Sequence, residues 1–327
     1  MIISKTPYRI SFFGGGTDYP NWYLKNGGEV VSTTIDKYLY LTCRNLPNFF
    51  GHKYRIVYSK IELAKKVSQI EHLVVRELFK KFSFKQGIEL HYDGDLPAQS
   101  GMGSSSSFIV GCINVLHNLN NHKISKKKLA TQSLKFEQNV LKEVVGSQDQ
   151  IAASYGGFNS IKFLRNGNYL VNKIQISQQK EKILNSRLLL LYTGNQRRAH
   201  DIATSYVKNL AGSKKNQMHL MQGFVSKAKL YLKSNAFDDF GDLLNESWQL
   251  KKELSKKITN DGINQIYDKA LKNGAIGGKI LGAGGGGFFL FYIKKDCLGK
   301  FKKAFLNFPI INFNFEKDGS QIIFKNK

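Results

Sequence analysis

Residues 96–108 read Leu-Pro-Ala-Gln-Ser-Gly-Met-Gly-Ser-Ser-Ser-Ser-Phe, a set of residue types suited to holding an anion. Gly101 and Gly103 let the backbone turn tightly and come close to a ligand, and the serines add hydroxyls beside helix amides that lack intrahelical partners. A phosphate suits such a place, because free amides and the helix dipole both favour negative charge. A lone run of four serines would read as a linker or an N-cap, but the flanks argue for a strand, a loop and a helix. Upstream, Ile88, Leu90 and Tyr92 alternate with polar residues; downstream, Phe108, Cys112, Val115, Leu116 and Leu119 follow helical spacing.

Three other places carry groups able to act on a substrate. Gly14, Gly15 and Gly16 precede Thr17 and Asp18, which reads equally well as a close-approach loop or as a turn with Asp18 capping a helix. Glu137 falls on a predicted helix, where a carboxylate is commonly only a solvated group, and Asp149 sits at a polar turn where a helix cap is the simpler local reading. Gly282, Gly284 and Gly287 formally satisfy the G-x-G-x-x-G dinucleotide spacing. The context fails, since the β-type run Phe288 to Ile293 follows where that fingerprint needs a helix. The stretch reads as strand, glycine loop, strand, with the backbone approaching a ligand or another domain. A Walker lysine pattern is absent from the sequence, which excludes an ordinary P-loop enzyme.

The elements that must position these groups follow from periodicity. Residues 2–13 read as a strand broken at Pro7, residues 30–44 and 54–58 as further strands, and residues 70–82 as an amphipathic helix. A helix starting after Ser125 carries Leu129, Leu134 and Leu141, and two strands fall within residues 159–176. The polar stretch 178–186 is taken as the boundary between a first domain, residues 1–180, and a second, residues 181–327. The second opens with an apolar strand at 187–192 and a turn holding Arg197 and Arg198. Helices at 217–233, 237–257 and 261–272 follow.

Composition narrows the class. With 42% apolar residues, 12% aromatics and five prolines in 327 residues, the chain is globular and long enough for two domains. Cys43, Cys112 and Cys297 are far apart and suit reduced core positions. No apolar run approaches the roughly 20 residues that span a bilayer, and no secretory leader pattern opens the chain, so a cytoplasmic location without membrane is expected. The net charge of +25 raises nucleic acid as a partner. Its lysines, however, are scattered in short groups such as Lys126 to Lys128, Lys214-Lys215 and Lys251-Lys252, which suits a solvated surface and a field that draws phosphorylated small molecules.

Taken together, Pro7-Tyr8-Arg9-Ile10 with the loop from Gly14 to Asp18, residues 97–107 and residues 282–287 resemble the three ordered motifs of the galactokinase, homoserine kinase, mevalonate kinase and phosphomevalonate kinase (GHMP) superfamily. The resemblance spans nearly the whole chain. It implies a two-domain α+β fold with the active site between domains, and ATP and magnesium as cofactors. Within the superfamily, Gly-Gly-Gly-Thr-Asp-Tyr-Pro, Thr34-Ile35-Asp36-Lys37-Tyr38 and Gln148-Asp149-Gln150 look most like the D-glycero-D-manno-heptose 7-phosphate kinases. Galactokinases would show Glu-His where this chain has Gly15-Gly16.

The resemblance implies an ATP-dependent sugar 1-kinase acting on a sugar phosphate, with an unphosphorylated sugar such as L-fucose as the alternative and a non-enzymatic nucleic-acid or regulatory protein as a third. It makes Pro97, Gly101, Met102, Gly103, Ser104, Ser105 and Ser106 the triphosphate cradle, Ser105 and Glu137 the magnesium contacts, Asp149 the base and Arg9 the charge stabiliser. Gly15, Gly16, Thr17, Asp18, Gln148, Gly284 and Gly285 would meet the substrate. Arg197 would grip a substrate phosphate, with Arg198 and Lys37 as weaker choices, and the adenine residues are sought between 44 and 72.

Overall fold

The computed structural model describes residues 1–84, 86–194 and 199–326. The first half supplies strands β1 (Ile2–Phe13), β2 (Gly28–Leu46), β3 (Tyr54–Val57), β4 (Ile61–Ala64), β5 (Gly87–Gly94), β6 (Asn159–Phe163) and β7 (Tyr169–Lys173). Its helices are α1 (Pro20–Asn26), α2 (Leu73–Phe82), α3 (Ser104–Leu119), α4 (Lys126–Lys135) and α5 (Gln148–Tyr155). After α6 (Gln178–Ser186) come β8 (Leu188–Tyr192), α7 (Ala199–Ala203), α8 (Lys215–Ser234), α9 (Phe237–Lys252), α10 (Asp261–Lys272), β9 (Ala275–Ile280), β10 (Phe288–Ile293) and α11 (Leu298–Ala304). The short strands β11 (Ile310–Ile311), β12 (Phe315–Glu316) and β13 (Gln321–Lys325) end the chain. Two sheets result, one ordered β13-β1-β2-β5-β3-β4 with β6, β7 and β12 attached through β2, the other ordered β11-β8-β10-β9. Helix α3 covers β1 and β2, while α8 and α9 pack together and lie between the two sheets. The fold is therefore α+β, with apolar faces of both sheets closed by helices.

Several expected boundaries move, each for a physical reason. Pro7 does not end the first strand. It has no N–H to give, and the β1–β2 register slips between Pro7 and Arg9, so a bulge absorbs the missing bond. Arg9 N–H donates instead to Met102 O at 3.2 Å, which ties the strand to the serine loop. The helix expected from residue 70 begins only at Leu73, and the one after Ser125 widens into a π-helical turn at Phe136–Val140, closed by Leu141 N–H donating to Phe136 O. Residues 178–186, the stretch taken as the boundary, form α6, capped by Ser177, so the expected division at 180/181 falls inside a helix. The last strands also return to the first sheet, β12 pairing β2 and β13 pairing β1, so the first layer is built from both ends of the chain. Cys43 and Cys112 are buried free thiols and Cys297 is half-buried.

A three-strand ion cluster holds the outer part of the first sheet. Glu89 on β5 stands in register with Arg44 on β2 and with Arg55 on β3. Arg44 Nε donates to it at 2.6 Å, and Arg55 and His91 donate to its other oxygen. Burial pushes the Glu89 carboxyl up, but these hydrogen bonds outweigh it and hold it at about 2. Its contribution is complete above the ordinary 4.5 and is lost as pH falls from there through 2. Glu89→Gln is expected to cost roughly 1–3 kcal/mol in urea unfolding at neutral pH, with the gap to the native chain closing below pH 4.5.

Candidate active site

The serine loop takes the form its sequence suggests. Gly103 is the N-cap of α3 with φ 76°, so Ser104, Ser105 and Ser106 sit in the first helical turn, where backbone N–H groups have no partner within the helix. Glycine is needed here for two reasons. Gly101 has φ 84°, and a Cβ on it would stand 2.4 Å from Leu281 O; a Cβ on Gly287 would stand 2.3 Å from Ser100 O. The 282–287 loop, which joins the antiparallel strands β9 and β10, thus presses its backbone onto the serine loop. Gly282 and Gly287 thus serve contact between the two halves of the chain. Gly101→Ala is expected to lower kcat/KM for nucleotide roughly tenfold or more by displacing this contact, as steady-state kinetics would read.

Arg9 and Asp149 meet above that loop. Arg9 Nε and Nη2 donate to the two Asp149 carboxylate oxygens at 2.7 Å each, and Arg9 Nη1 donates to Gly101 O at 2.7 Å. Arg9 is buried, so this fork is held in one geometry and is worth more than a surface pair. Asp149 is in the first turn of α5 but does not cap it; its carboxylate is turned to Arg9 and the cleft.

Glu137 is buried, not solvated, because the π-helical turn carries it inward. It accepts from Ser106 Oγ at 2.8 Å, Ser105 Oγ at 3.2 Å and Gln150 Nε2 at 2.6 Å. Burial pushes its carboxyl up to about 7, opposed by the Gln150 and Ser106 hydrogen bonds and reinforced by the Asp149 charge. Asp18 is buried as well, and burial and then Asp149 raise its carboxyl. It accepts from Gly16 N at 2.9 Å and from Gln148 Nε2 at 2.9 Å, and so does not act as a helix cap.

These groups line one cleft of about 760 Å³. Of the residues expected from sequence, Arg9, Gly15, Gly16, Asp18, Gly101, Gly103, Ser104, Ser105, Ser106, Glu137, Gln148, Asp149 and Gly284 border it. Four others do not border it. The Thr17 hydroxyl donates to Gly14 O and Glu29 O, the Met102 side chain is wholly buried, Gly285 N–H donates to Ile258 O, and Pro97 precedes the loop without bordering the cleft. Lys37 pairs with Asp36 at 3.0 Å away from the cleft. Arg197 and Arg198 lie outside the described residues.

Sequence reasoning missed several cleft side chains, Ser11, Lys251 and Lys279 among them. Ser11 lies two residues beyond Arg9 on β1, and its buried hydroxyl has no protein partner, like Gln148 Oε1 beside it. Strand alternation was the available signal. Lys251, counted with the surface pairs, is buried because it falls on the helical stripe of Leu244, Ser247 and Trp248. Lys279 is buried at the end of β9. His72, at the end of the region searched for adenine contacts, and its neighbour Leu73 also border the cleft.

The donor set suits a hard divalent cation. Glu137 and Ser105 offer a carboxylate and a hydroxyl next to the α3 N-terminus, the kind of oxygen set that holds magnesium together with phosphates and water.

This arrangement of a helix start suited to anions, a locked arginine–aspartate pair and a glycine loop from the other half suits phosphoryl transfer, which works by positioning and charge stabilisation. Residues 62–157 match the GHMP kinases N-terminal domain and residues 228–303 the GHMP kinases C-terminal domain. A D-glycero-alpha-D-manno-heptose 7-phosphate kinase from Campylobacter jejuni is 31% identical, over 97% of this chain and 97% of that protein. A bifunctional fucokinase/GDP-fucose pyrophosphorylase from Arabidopsis thaliana is 26% identical over 88% of this chain and 29% of that protein. The crystal structure of a D-glycero-D-manno-heptose 1-phosphate kinase from Bacteroides thetaiotaomicron superposes with a TM-score of 0.80 at 23% identity, covering 100% of both chains. The chain belongs to the GHMP kinases and is an ATP-dependent kinase. Among the described residues no helix is long and apolar enough to cross a membrane.

Proposed function

We propose that the protein is a sugar 1-kinase that transfers the γ-phosphoryl group of ATP to the anomeric hydroxyl of D-glycero-D-manno-heptose 7-phosphate, giving the 1,7-bisphosphate and ADP. The observation that carries the reaction type is the Arg9–Asp149 fork set against the N-terminus of α3 in one cleft. The likeness to the Campylobacter jejuni heptose 7-phosphate kinase supports the acceptor.

In this reading Asp149 takes the proton of the anomeric hydroxyl as its oxygen bonds to the γ-phosphorus and the bond to the β-phosphate oxygen breaks. Arg9 keeps the carboxylate aimed and faces the charge that spreads over the transferred oxygens. Gly101, Gly103 and the amides of Ser104, Ser105 and Ser106 seat the triphosphate. Ser105 and Glu137 would hold magnesium, which when bound neutralises phosphate charge. Asp18, Gln148 and Ser11 offer an acceptor-rich wall for sugar hydroxyls, with Gly15 and Gly16 giving the ring room.

The fucokinase likeness supports a second acceptor, L-fucose, whose ring carries an anomeric hydroxyl but no phosphate. Initial rates over a panel of heptose 7-phosphate, unphosphorylated heptose, L-fucose and galactose separate the two. The heptose phosphate is expected to be turned over with the highest kcat/KM; faster turnover of L-fucose would replace the first reading by the second.

A further inference from the structure

Two buried lysines border the cleft, and neither has a salt bridge among the described residues. Lys251 comes from α9 and Lys279 from β9, their residues 7% and 4% exposed, and both border the cleft. Lys279 Nζ donates to Phe12 O at 2.7 Å, and Lys251 Nζ donates to Ile280 O at 3.0 Å and Gly282 O at 2.6 Å. An ammonium has three donors, so three N–H groups remain between the two side chains. Neither has a carboxylate within ion-pair distance among the described residues.

Burying a cation without a counter-charge is costly, and two side by side with Arg9 cost more. Burial holds Lys279 down to about 7 and Lys251 well below the usual lysine range, with Arg9 adding repulsion at both and Asp18 only partly offsetting it. Asp149 gives no relief, being forked to Arg9. This wall of the cleft is thus short of negative charge. The α3 start, which serves the nucleotide, belongs to the other half of the chain.

We propose that Lys251 and Lys279 form an anion seat on the second-half wall of the cleft, taking the oxygens of a phosphate group. The inference rests on the kinase reading above and adds a binding element to it. Two phosphates could fill the seat, the γ-phosphoryl group in transit or the phosphate already on the acceptor.

The test uses the full chain carrying Lys279→Met or Lys251→Met, which keep the apolar stem and remove the charge. Inorganic phosphate, added with ADP and magnesium so that the serine loop is filled, is expected to raise the melting temperature of the native chain but not of either variant. kcat/KM is expected to fall at least tenfold. An equal fall for heptose 7-phosphate and unphosphorylated heptose assigns the seat to the group in transit, and a fall confined to the phosphorylated sugar assigns it to the acceptor's phosphate. A phosphate-induced rise as large in both variants as in the native chain overturns the proposal, as does a lower melting temperature with kinetics unchanged, the mark of lysines that only hold carbonyls. If one methionine variant does not fold, Lys279→Arg and Lys251→Arg keep a charge and are expected to retain the phosphate response; its loss in both would also overturn the seat. A native chain that phosphorylates no sugar refutes the kinase reading instead, and the phosphate response without nucleotide then still judges the seat.

Discussion

Replacing Asp149 by asparagine is expected to lower kcat by about 100- to 10,000-fold, the usual range for a lost general base, while the affinity for nucleotide stays within a few-fold. The asparagine keeps shape and one acceptor oxygen but cannot take a proton. Nucleotide binding should survive because the α3 start and Glu137 are held by contacts that do not include the Asp149 side chain. Single-turnover kinetics and calorimetric titration of a nonhydrolysable nucleotide would separate the two effects. Turnover near the native rate would remove Asp149 from the reaction.

Arg9→Lys is expected to cost about 100- to 1,000-fold in kcat, of the order seen when one charge-stabilising donor is lost. A lysine carries the charge but not the fork, and Arg9 uses three separate nitrogens, two on Asp149 and one on Gly101 O. One ammonium cannot reproduce that geometry from the same Cα. Because the two side chains act as a unit, adding Asp149→Asn to Arg9→Lys should cost far less than the product of the single losses. Multiplicative losses would mean that Arg9 acts independently of Asp149.

Much of the site was legible because local rules coincide there. Alternation before residue 96 and helical spacing after residue 107 located the α3 start, and the β-type run after Gly287 exposed the glycine loop as a hairpin connection. What stayed hidden depends on partners distant in sequence. Nothing local separates Thr17, whose hydroxyl holds the Gly14 loop, from Asp18, which faces the cleft. Lys251 looked like half of a surface pair, although its place on the Leu244–Trp248 stripe predicted burial. The return of β12 and β13 to the first sheet pairs residues from opposite ends of the chain, Phe315 with Ile35 and Lys325 with Ile2, and no short-range pattern encodes it. The Pro7 bulge shows the same limit. A missing N–H is visible in sequence, but its consequence, Arg9 N–H turning to Met102 O, needs the serine loop in place.

The proposed function turns on which hydroxyl of which sugar receives the phosphoryl group. Purified protein incubated with ATP, magnesium and D-glycero-D-manno-heptose 7-phosphate, with the product followed by phosphorus and proton NMR, tests this directly. The prediction is a second phosphate signal coupled to the anomeric proton, in step with ADP release. Phosphate on any other hydroxyl, or ATP left intact with this sugar while L-fucose is consumed, would contradict it.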